Sequence, residues 1–382
     1  MILRNVTLAQ AGHTVNIKID RGKIVQINPA ENNKCLAPHI DFTGAIAFPG
    51  LINSHDHLDF NLFPQLGDKI YHNYTEWGNH IHQAYAGKIA AILKIPIALR
   101  EEWGVYKNLL CGVTTVINHG RKLTIRNPPI SVLEDSLSLH SVCFERNWRA
   151  KLNNPFNIRK KAVIHIGEGT DQAAQLEIDT LAKWNLLGRP LIGIHGVALC
   201  KQQAKAFEAI VWCPQSNYFL LGRTANVKLL QAQTQLLFGT DSTLTSCWNI
   251  WEHIRTARSA KLLSDNELYE TLTLNPAKTW GLNSGDLAIG KQADLVVVKS
   301  NGLKGLAAFF EVQSKDILMV MCAGEIKLYD ESLKFQLKSL ANFSKISVNN
   351  SFKYVTGNIN QLMKDIRKYQ PQAAFPAELS NC

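Results

Sequence analysis

The chain has 382 residues, of which 46% are apolar and 19% are charged, so it can bury a large core and disorder is excluded as its general state. Its net charge of +10 comes from dispersed Lys and Arg, which favours a solvated basic surface over a nucleic-acid site. The longest apolar stretches are broken by Lys94 or Pro96 and fall short of the roughly 18 residues of a membrane helix. We expect a globular protein with no nucleic-acid or membrane partner.

The 8 cysteines show no paired spacing, which is typical of reduced thiols rather than of a disulfide framework. The segment that begins at Met1 has no basic stretch followed by an apolar run, so no signal peptide is readable. Both observations predict a cytoplasmic location.

The first fifty residues are predicted to form strands. Val15, Ile17 and Ile19 alternate with polar residues, and the pattern resumes at Ile24 after a turn at 20–22. The same pattern returns at 295–298 and 317–321, and the two β-rich flanks would pair most simply with each other. We therefore expect a small β-sandwich domain built from both chain ends, residues 1–47 and 283–330.

Between these flanks, residues 48–282 alternate short apolar runs with helical patterns, which indicates βα units and a parallel sheet. The predicted fold class is α/β, with a (β/α)8 TIM-type barrel. The units between residues 118 and 162 are too short for full helices, so the barrel is expected to be partly abbreviated in its middle. The eight predicted strands lie at 47–52, 114–117, 131–133, 141–144, 162–164, 191–194, 210–212 and 236–238.

Residues 331–382 form a C-terminal extension. Ile359, Leu362, Met363 and Ile366 have the spacing of one amphipathic helix. That helix is expected either to dock on the rest of the chain or to mediate association into a homo-oligomer.

The first chemical signal is the pair His55 and His57, at the end of an apolar run. Side chains two positions apart on a strand face the same side, so both imidazoles can share one ion. The similar pair His80 and His82 lies in a stretch with a helical pattern, where positions i and i+2 diverge, so we interpret these as surface or packing residues.

Three more polar residues follow buried strands at the same structural position. His165, His195 and Asp241 each come at the carboxyl end of a predicted strand, and in a parallel barrel these ends open on one face. Imidazoles combined with a carboxylate suit zinc or ferrous iron better than calcium or magnesium. The sequence predicts one divalent metal ion at this face, with Zn²⁺ preferred and Fe²⁺ as the alternative.

At this point the sequence resembles the amidohydrolase superfamily, in its branch of mononuclear deaminases and chlorohydrolase-like enzymes. The similarity spans roughly residues 1 to 330. Each segment alone is a weak signal, but the ordered set is specific. The segments that carry it are 48–57, 112–116, 165–169, 194–196, 213–217, 239–242, 275–278 and 285–298.

The resemblance implies a role for each matching residue. His55, His57, His165 and Asp241 would be the metal ligands. Glu168 would be the proton shuttle, because it lies three residues past His165. His195 would contact the activated water or the substrate, which makes Glu168, His195 and Asp241 the expected catalytic residues.

The implied activity is hydrolysis of a carbon–nitrogen bond other than a peptide bond, and we expect deamination of a small nitrogen heterocycle. One alternative is a dinuclear cyclic-amide hydrolase, for which the only candidate bridging carboxylate is Glu145, and that residue could equally hold Arg146. Another is a non-catalytic barrel that has lost its chemistry, although every ligand is present here. A single-metal enzyme with a small-molecule substrate is favoured.

Specificity is expected to come from side chains that follow the strands, and the aromatic segment 71–77 is expected to form a wall over a planar ring. We interpret Cys213 as a packing residue and expect Asn217 to organise a neighbouring strand end. The candidate specificity residues are Asp59, Phe60, Asn61, His119, Arg121, Glu145, Arg146, Trp148 and Arg223.

Overall fold

The structure is a computed structural model that describes residues 1–29, 39–337 and 340–379. Its strands are β1 (Ile2–Leu8), β2 (Thr14–Asp20), β3 (Lys23–Pro29), β4 (His39–Asp41), β5 (Ala45–Pro49), β6 (Leu51–Asp56), β7 (Val113–Asn118), β8 (Ser131–Leu133), β9 (Leu137–Ser141), β10 (Ala162–Ile166), β11 (Leu191–His195), β12 (Ala209–Trp212), β13 (Gln235–Phe238), β14 (Leu295–Lys299), β15 (Ile317–Cys322), β16 (Glu325–Asp330), β17 (Phe343–Val348), β18 (Ser351–Thr356) and β19 (Ala377–Leu379).

The helices lie mostly between the strands of the central region, as the alternating pattern predicts. They are α1 (Tyr74–Ala84), α2 (Ala86–Leu93), α3 (Ile97–Leu109), α4 (Trp148–Leu152), α5 (Gln172–Trp184), α6 (Lys201–Ala204), α7 (Pro214–Leu221), α8 (Val227–Leu230), α9 (Ile250–Ser259), α10 (Asp265–Thr271), α11 (Leu274–Trp280), α12 (Gly305–Phe310), α13 (Lys334–Leu337) and α14 (Ile359–Tyr369). None of these helices is long and apolar enough to cross a bilayer.

The two ends of the chain meet in one 11-stranded sheet, with the order β19-β17-β18-β16-β15-β14-β5-β1-β2-β3 and with β4 paired to β1. The junction is the antiparallel pair β5 and β14, in which Ala47 faces Val297. This pairing confirms the expectation that the two β-rich flanks join each other. Side chains from both flanks, including Val15 and Met321, share one apolar cluster.

The central region forms two parallel sheets, a three-stranded sheet β6-β7-β8 and a five-stranded sheet β13-β12-β11-β10-β9. The N–H groups of Thr240 and Asp241 both donate to the His55 carbonyl at 3.1 Å, which brings the end of β13 beside the end of β6. Within residues 39–337, β8 and β9 make no ladder with each other, and this gap lies in the middle units that the sequence indicates are short.

Two of the predicted strands are wrong in their bounds. The strand predicted at 47–52 is not one run, because the chain breaks at Gly50 and leaves β5 in the outer sheet and β6 in the parallel sheet. A Cβ at Gly50 would lie 2.1 Å from the Thr114 hydroxyl, so the crossing point has room only for glycine. The strand predicted at 141–144 is a turn in which the Ser141 hydroxyl accepts the Phe144 N–H, and the strand precedes it as β9.

The C-terminal extension is part of the same body. Its β18 pairs with β16 and so continues the outer sheet. The four apolar residues predicted to share a helix face lie on α14, and all of them are buried. This helix packs against α3. Lys353 is 1% exposed and pairs with Asp330 at 2.6 Å. The docking alternative for this helix is confirmed, and self-association stays a prediction.

The cysteines Cys111, Cys143, Cys200, Cys213, Cys247 and Cys322 are free thiols. Cys213 is fully buried in an apolar cluster with strands β10 to β13, as expected for a packing residue. Cys35 and Cys382 lie outside the described residues.

Candidate active site

The end of strand β6 places the first two imidazoles at the open end of the parallel sheets, His55 within the strand and His57 directly after it. Because side chains alternate along the strand, His55 and His57 face one way while Asp56 between them faces α3. There Asp56 is fully buried and pairs with the Lys107 ammonium at 2.8 Å. Its other oxygen accepts from the Asn61 amide at 2.7 Å. This buried ion pair fixes the strand end from behind, so the two imidazoles are held on the opposite side.

The predicted ligands from distant strands converge on these imidazoles. The Nε2 atoms of His57 and His165 lie 3.3 Å apart. One oxygen of Asp241 lies 3.6 Å from His55 Nε2 and 3.8 Å from His57 Nε2. Two sets of three residues therefore have donor atoms within 4.8 Å of one another, and both sets contain His55. The sets are His55, His165 and His195, and His55, His57 and Asp241.

These spacings fit a single divalent ion. A tetrahedral zinc site with bonds of about 2.0–2.1 Å separates neighbouring donor atoms by roughly 3.3 Å, close to the spacing of His57 and His165. Both ring nitrogens of His55 are buried without a hydrogen-bond partner in the described chain. An orphaned imidazole surrounded by other imidazoles is costly unless a bound group satisfies it, so the donor set suits a zinc-type cation.

Hydrogen bonds from behind orient two of the imidazoles. His165 Nδ1 lies 2.7 Å from the His140 carbonyl and must donate to it, which leaves Nε2 with a free lone pair. His195 Nδ1 lies 2.9 Å from Asn217 Oδ1 and has the same arrangement. Asn217 therefore organises the end of β11, as the sequence led us to expect. The result is two imidazoles in the tautomer that a metal requires.

Asp241 is held just as firmly. One of its oxygens accepts from the hydroxyls of Ser216 and Thr245, each at 2.8 Å. Its backbone adopts φ +57°, and that of His195 adopts φ +73°, both in the left-handed region that residues other than glycine rarely occupy. Such strain clusters at functional sites, where the surrounding contacts maintain it.

Burial sets the charge state of these groups. It lowers the pKa of His57 and of His195 to about 4 and that of His165 well below its usual range, which keeps the rings neutral. Burial would raise the pKa of Asp241, but His55 and the neighbouring imidazoles outweigh it and hold the pKa well below its ordinary value. Neutral imidazoles with an ionised carboxylate form a donor set ready for a divalent cation.

Glu168 lies on the loop after β10, at the edge of this cluster. It is 5% exposed, and one of its oxygens lies 3.4 Å from His195 Nε2. Burial first, and then the nearby Asp241 and Glu177, raise the pKa of Glu168 well above its ordinary value. A carboxyl group whose pKa is raised, beside but outside the two donor sets, is suited to proton transfer.

A cavity of about 790 Å³ opens directly above the cluster. His57, His165, His195, Glu168 and Asp241 line its floor. Its walls are largely apolar and aromatic, with contributions from α1 and the loops after the strands. A deep cavity with apolar walls and a few converging polar groups is the usual form of a small-molecule site.

The predicted specificity residues divide into two groups. Asp59, Phe60, His119, Arg121 and Glu145 line the cavity, as do Tyr74 and Trp77 from the predicted aromatic wall. The others lie elsewhere: Asn61 bonds to Asp56, Trp148 is buried at the start of α4, and Arg146 and Arg223 are exposed.

Glu145 does not occupy a strand end. Its carboxylate pairs with Lys151 at 2.9 Å rather than with Arg146, and it belongs to neither donor set in the described chain. The alternative roles given to it in the sequence, bridging two ions or holding Arg146, are therefore not seen.

The sequence reasoning missed several groups around the site. His140 lines the cavity and orients His165, but the strand that carries it was placed four residues too late. Lys107 and Glu177 lie on helices, where a charged residue normally indicates a solvated face. Only His140 could have been found from the sequence. It lies at the carboxyl end of a strand, as His165 does, and correct bounds for β9 would have revealed this.

Comparisons with known proteins agree with this geometry. Residues 69–327 match the profile of the amidohydrolase family. A 5-methylthioadenosine/S-adenosylhomocysteine deaminase from Pyrococcus abyssi is 26% identical over 53% of this chain and 54% of its own length, so the chain spans about half of that relative. The enzyme of the same name from Caldicellulosiruptor saccharolyticus is 24% identical over 87% of this chain and 95% of its own.

Among solved structures, atrazine chlorohydrolase TrzN from Arthrobacter aurescens TC1, a zinc complex, superposes with a TM-score of 0.72 at 16% identity, covering 96% of this chain and 99% of that one. At this identity the likeness bears on the fold alone, and it implies a TIM-barrel fold. The family profile covers well over half of the chain, including β10, β11 and Asp241. The chain belongs to the amidohydrolase family.

Proposed function

We propose that this chain is a metal-dependent deaminase that hydrolyses the bond between a ring carbon and its amino group in a small nitrogen heterocycle. The observation that carries the proposal is the convergence of four imidazoles and Asp241 on the floor of a cavity, with the buried carboxyl of Glu168 beside them. The overall reaction consumes one water and releases ammonia, and it leaves a carbonyl group on the ring.

The proposed ligands are His55, His57, His165 and Asp241, and they would hold one divalent ion, Zn²⁺ in preference to Fe²⁺. When bound, such an ion supplies Lewis-acid activation of water at neutral pH. The free lone pair of His165 Nε2 and the ionised state of Asp241 support this assignment. The absence of Glu145 from either donor set supports one ion rather than two.

Glu168 is the proposed proton carrier. Its proton, held on a buried carboxyl oxygen, can pass to the substrate as the amino group departs, and water returns a proton to it. His195 Nε2 lies 3.4 Å from that carboxyl and faces the same floor, which suits a contact to the reacting water or the substrate. Asp241 can accept a hydrogen bond from the water through the oxygen that lies toward His55 and His57.

The proposed substrate class follows from the cavity and the relatives. The volume of about 790 Å³ exceeds that of a bare heterocycle, and aromatic side chains such as Tyr74 and Trp77 suit a planar ring. The curated relatives are named for adenine nucleosides and their thioethers. Adenine nucleosides are therefore the first compounds to test, followed by other purines, pyrimidines, triazines and pterins.

The proposed architecture places this site at the open end of one (β/α)8 barrel, residues 48–282, abbreviated between β8 and β9. Residues 1–47 and 283–330 would form the small β-sandwich domain, with 331–382 as its extension. The pairing of β5 with β14 supports this division.

The test measures ammonia release from this panel by zinc-loaded protein, with elemental analysis of the same sample. We expect about one ion per chain and turnover of at least one adenine nucleoside. Glu168→Gln should retain the ion and lose turnover by roughly 10²–10⁴-fold. Glu270→Gln, on α10 and outside the cavity, serves as the matched control. No turnover of any compound by zinc-loaded protein would overturn the proposal, and about two ions per chain would favour a dinuclear amide hydrolase.

A further inference from the structure

His119 is a cavity-lining imidazole that the proposed metal site leaves unused. It follows β7 directly, is 3% exposed, and lines the cavity beside the proposed ligands. Its Nε2 atom is buried and has no hydrogen-bond partner in the part of the chain that the structure describes. Buried polar atoms are nearly always paired, so an unpaired one on a side chain that lines a cavity indicates a group that binds beside it.

The surroundings of His119 determine what this nitrogen offers. Nδ1 lies 3.4 Å from the Ser138 hydroxyl oxygen, and that oxygen accepts the Gly120 N–H at 3.1 Å. A hydroxyl that accepts in this way still has its own hydrogen to donate, and Nδ1 is the neighbour positioned to accept it. The remaining hydrogen of the neutral ring is then on Nε2, which makes Nε2 a hydrogen-bond donor.

His119 lies next to the metal centre but outside it. Its ring centroid is 4.6 Å from that of His165 and 5.3 Å from that of His57. Nevertheless it belongs to neither set of donor atoms that lie within 4.8 Å of one another. The group that Nε2 reaches is therefore a molecule bound over the centre, and not the ion itself.

We propose that His119 is a specificity-determining residue that donates a hydrogen bond from Nε2 to a lone-pair acceptor of the substrate, a ring nitrogen close to the reacting carbon. This inference rests on the proposed function and deepens it, because it names a required feature of the substrate. A heterocycle with a carbon in place of that nitrogen leaves the buried N–H unpaired. Its affinity should fall roughly ten- to hundred-fold.

The experiment measures binding, so that it does not depend on turnover. Zinc-loaded Glu168→Gln protein is titrated with adenosine and with its 1-deaza, 3-deaza and 7-deaza analogues by calorimetry. The same titrations are made in Glu168→Gln proteins that also carry His119→Leu or His119→Gln. Leucine removes the donor, whereas the glutamine amide can present an N–H near the position of Nε2.

We expect one deaza analogue to bind ten- to hundred-fold more weakly than adenosine, with this preference lost in the leucine variant and partly restored by glutamine. Zinc content should be equal in all proteins. The inference would be overturned if the leucine variant still preferred adenosine over the same deaza analogue, or if that variant lost its zinc. Equal binding of all four compounds by the Glu168→Gln protein that keeps His119 would also overturn it. If none of the four compounds binds, the inference is overturned for substrates of the adenine type. Tight binding without turnover in the protein that retains Glu168 would instead count against the proposed function alone.

Discussion

The buried carboxyl of Glu177 should make a contribution to the stability of this protein that falls as the pH rises. Glu177 lies on α5, is 6% exposed, and accepts the Gly167 N–H at 2.8 Å and the Tyr74 hydroxyl at 3.2 Å. The Tyr74 N–H in turn donates to the Glu168 carbonyl at 3.0 Å. Glu177 thus links two parts of the site by hydrogen bonds, the loop after β10 that carries Glu168 and the aromatic wall that contains Tyr74.

Burial, opposed by these two hydrogen bonds, raises the pKa of Glu177 to about 7 from an ordinary value of 4.5. Because the folded state holds the proton more tightly than the unfolded state, the stabilisation is complete below pH 4.5 and is lost as the pH rises through 7. A glutamine at this position can keep both hydrogen bonds and never ionises. Between pH 5 and pH 8, the free energy of unfolding of Glu177→Gln should therefore rise by about 2.5 kcal/mol relative to wild type.

The assay is urea unfolding of both proteins, zinc-loaded, at pH 5, 6, 7 and 8, with the difference taken at each pH so that common effects cancel. Glu76→Gln provides a control on α1. A hydrogen bond from Lys69 lowers the pKa of Glu76, so its contribution is lost only as the pH falls below 4.5, and its difference curve should be flat in this window. A flat or falling difference curve for Glu177→Gln would refute the reasoning.

Four further predictions concern the metal ion, two helical glycines and a buried ion pair. Removal of the ion with a chelator should abolish ammonia release and lower the melting temperature, and added zinc should restore both, as measured by turnover and calorimetry. In Gly104→Ala the new Cβ would lie 2.1 Å from the Leu58 carbonyl oxygen, so urea unfolding should show a loss of about 3 kcal/mol. Gly87→Ala, in open space on α2, should gain up to about 1 kcal/mol. Lys107→Met leaves the buried Asp56 carboxylate without its cation, so the free energy of unfolding should fall by about 3–5 kcal/mol. The added change Asp56→Asn should recover much of this loss.

The proposed metal ligands could be identified from sequence because each depends on a local pattern. His165 and His195 each end a run of apolar residues, and such runs identify buried strands without knowledge of their neighbours. In parallel sheets, all carboxyl ends open on one face, so the pattern also predicts that these residues meet. The same rule explains why the strand-end residue His119 appeared among the specificity candidates.

The groups that support the ligands could not be found in this way. Lys107 is 2% exposed but lies on a helix whose sequence, with Arg100 and Glu101 nearby, has the composition of a solvated surface. Its partner Asp56 is 51 positions away and sits between two histidines. Only the packing of α3 against β6 makes them a buried pair, and that packing has no signature in either segment.

Gly50 shows how the outer sheet bears on the chemistry. The Gly50 N–H donates to the Asp294 carbonyl at 2.9 Å, and the next N–H, of Leu51, donates to the Gly112 carbonyl at 3.1 Å. Two consecutive N–H groups thus bond to the residues just before β14 of the outer sheet and β7 of the parallel sheet, and Leu51 begins β6, which carries His55. The position of that imidazole is therefore fixed by β14 as well as by β7. A chain without the C-terminal flank would lose β14, one of the two partners of β5, and would keep only β1, so we expect the strand that carries His55 to depend on residues almost 250 positions away in sequence.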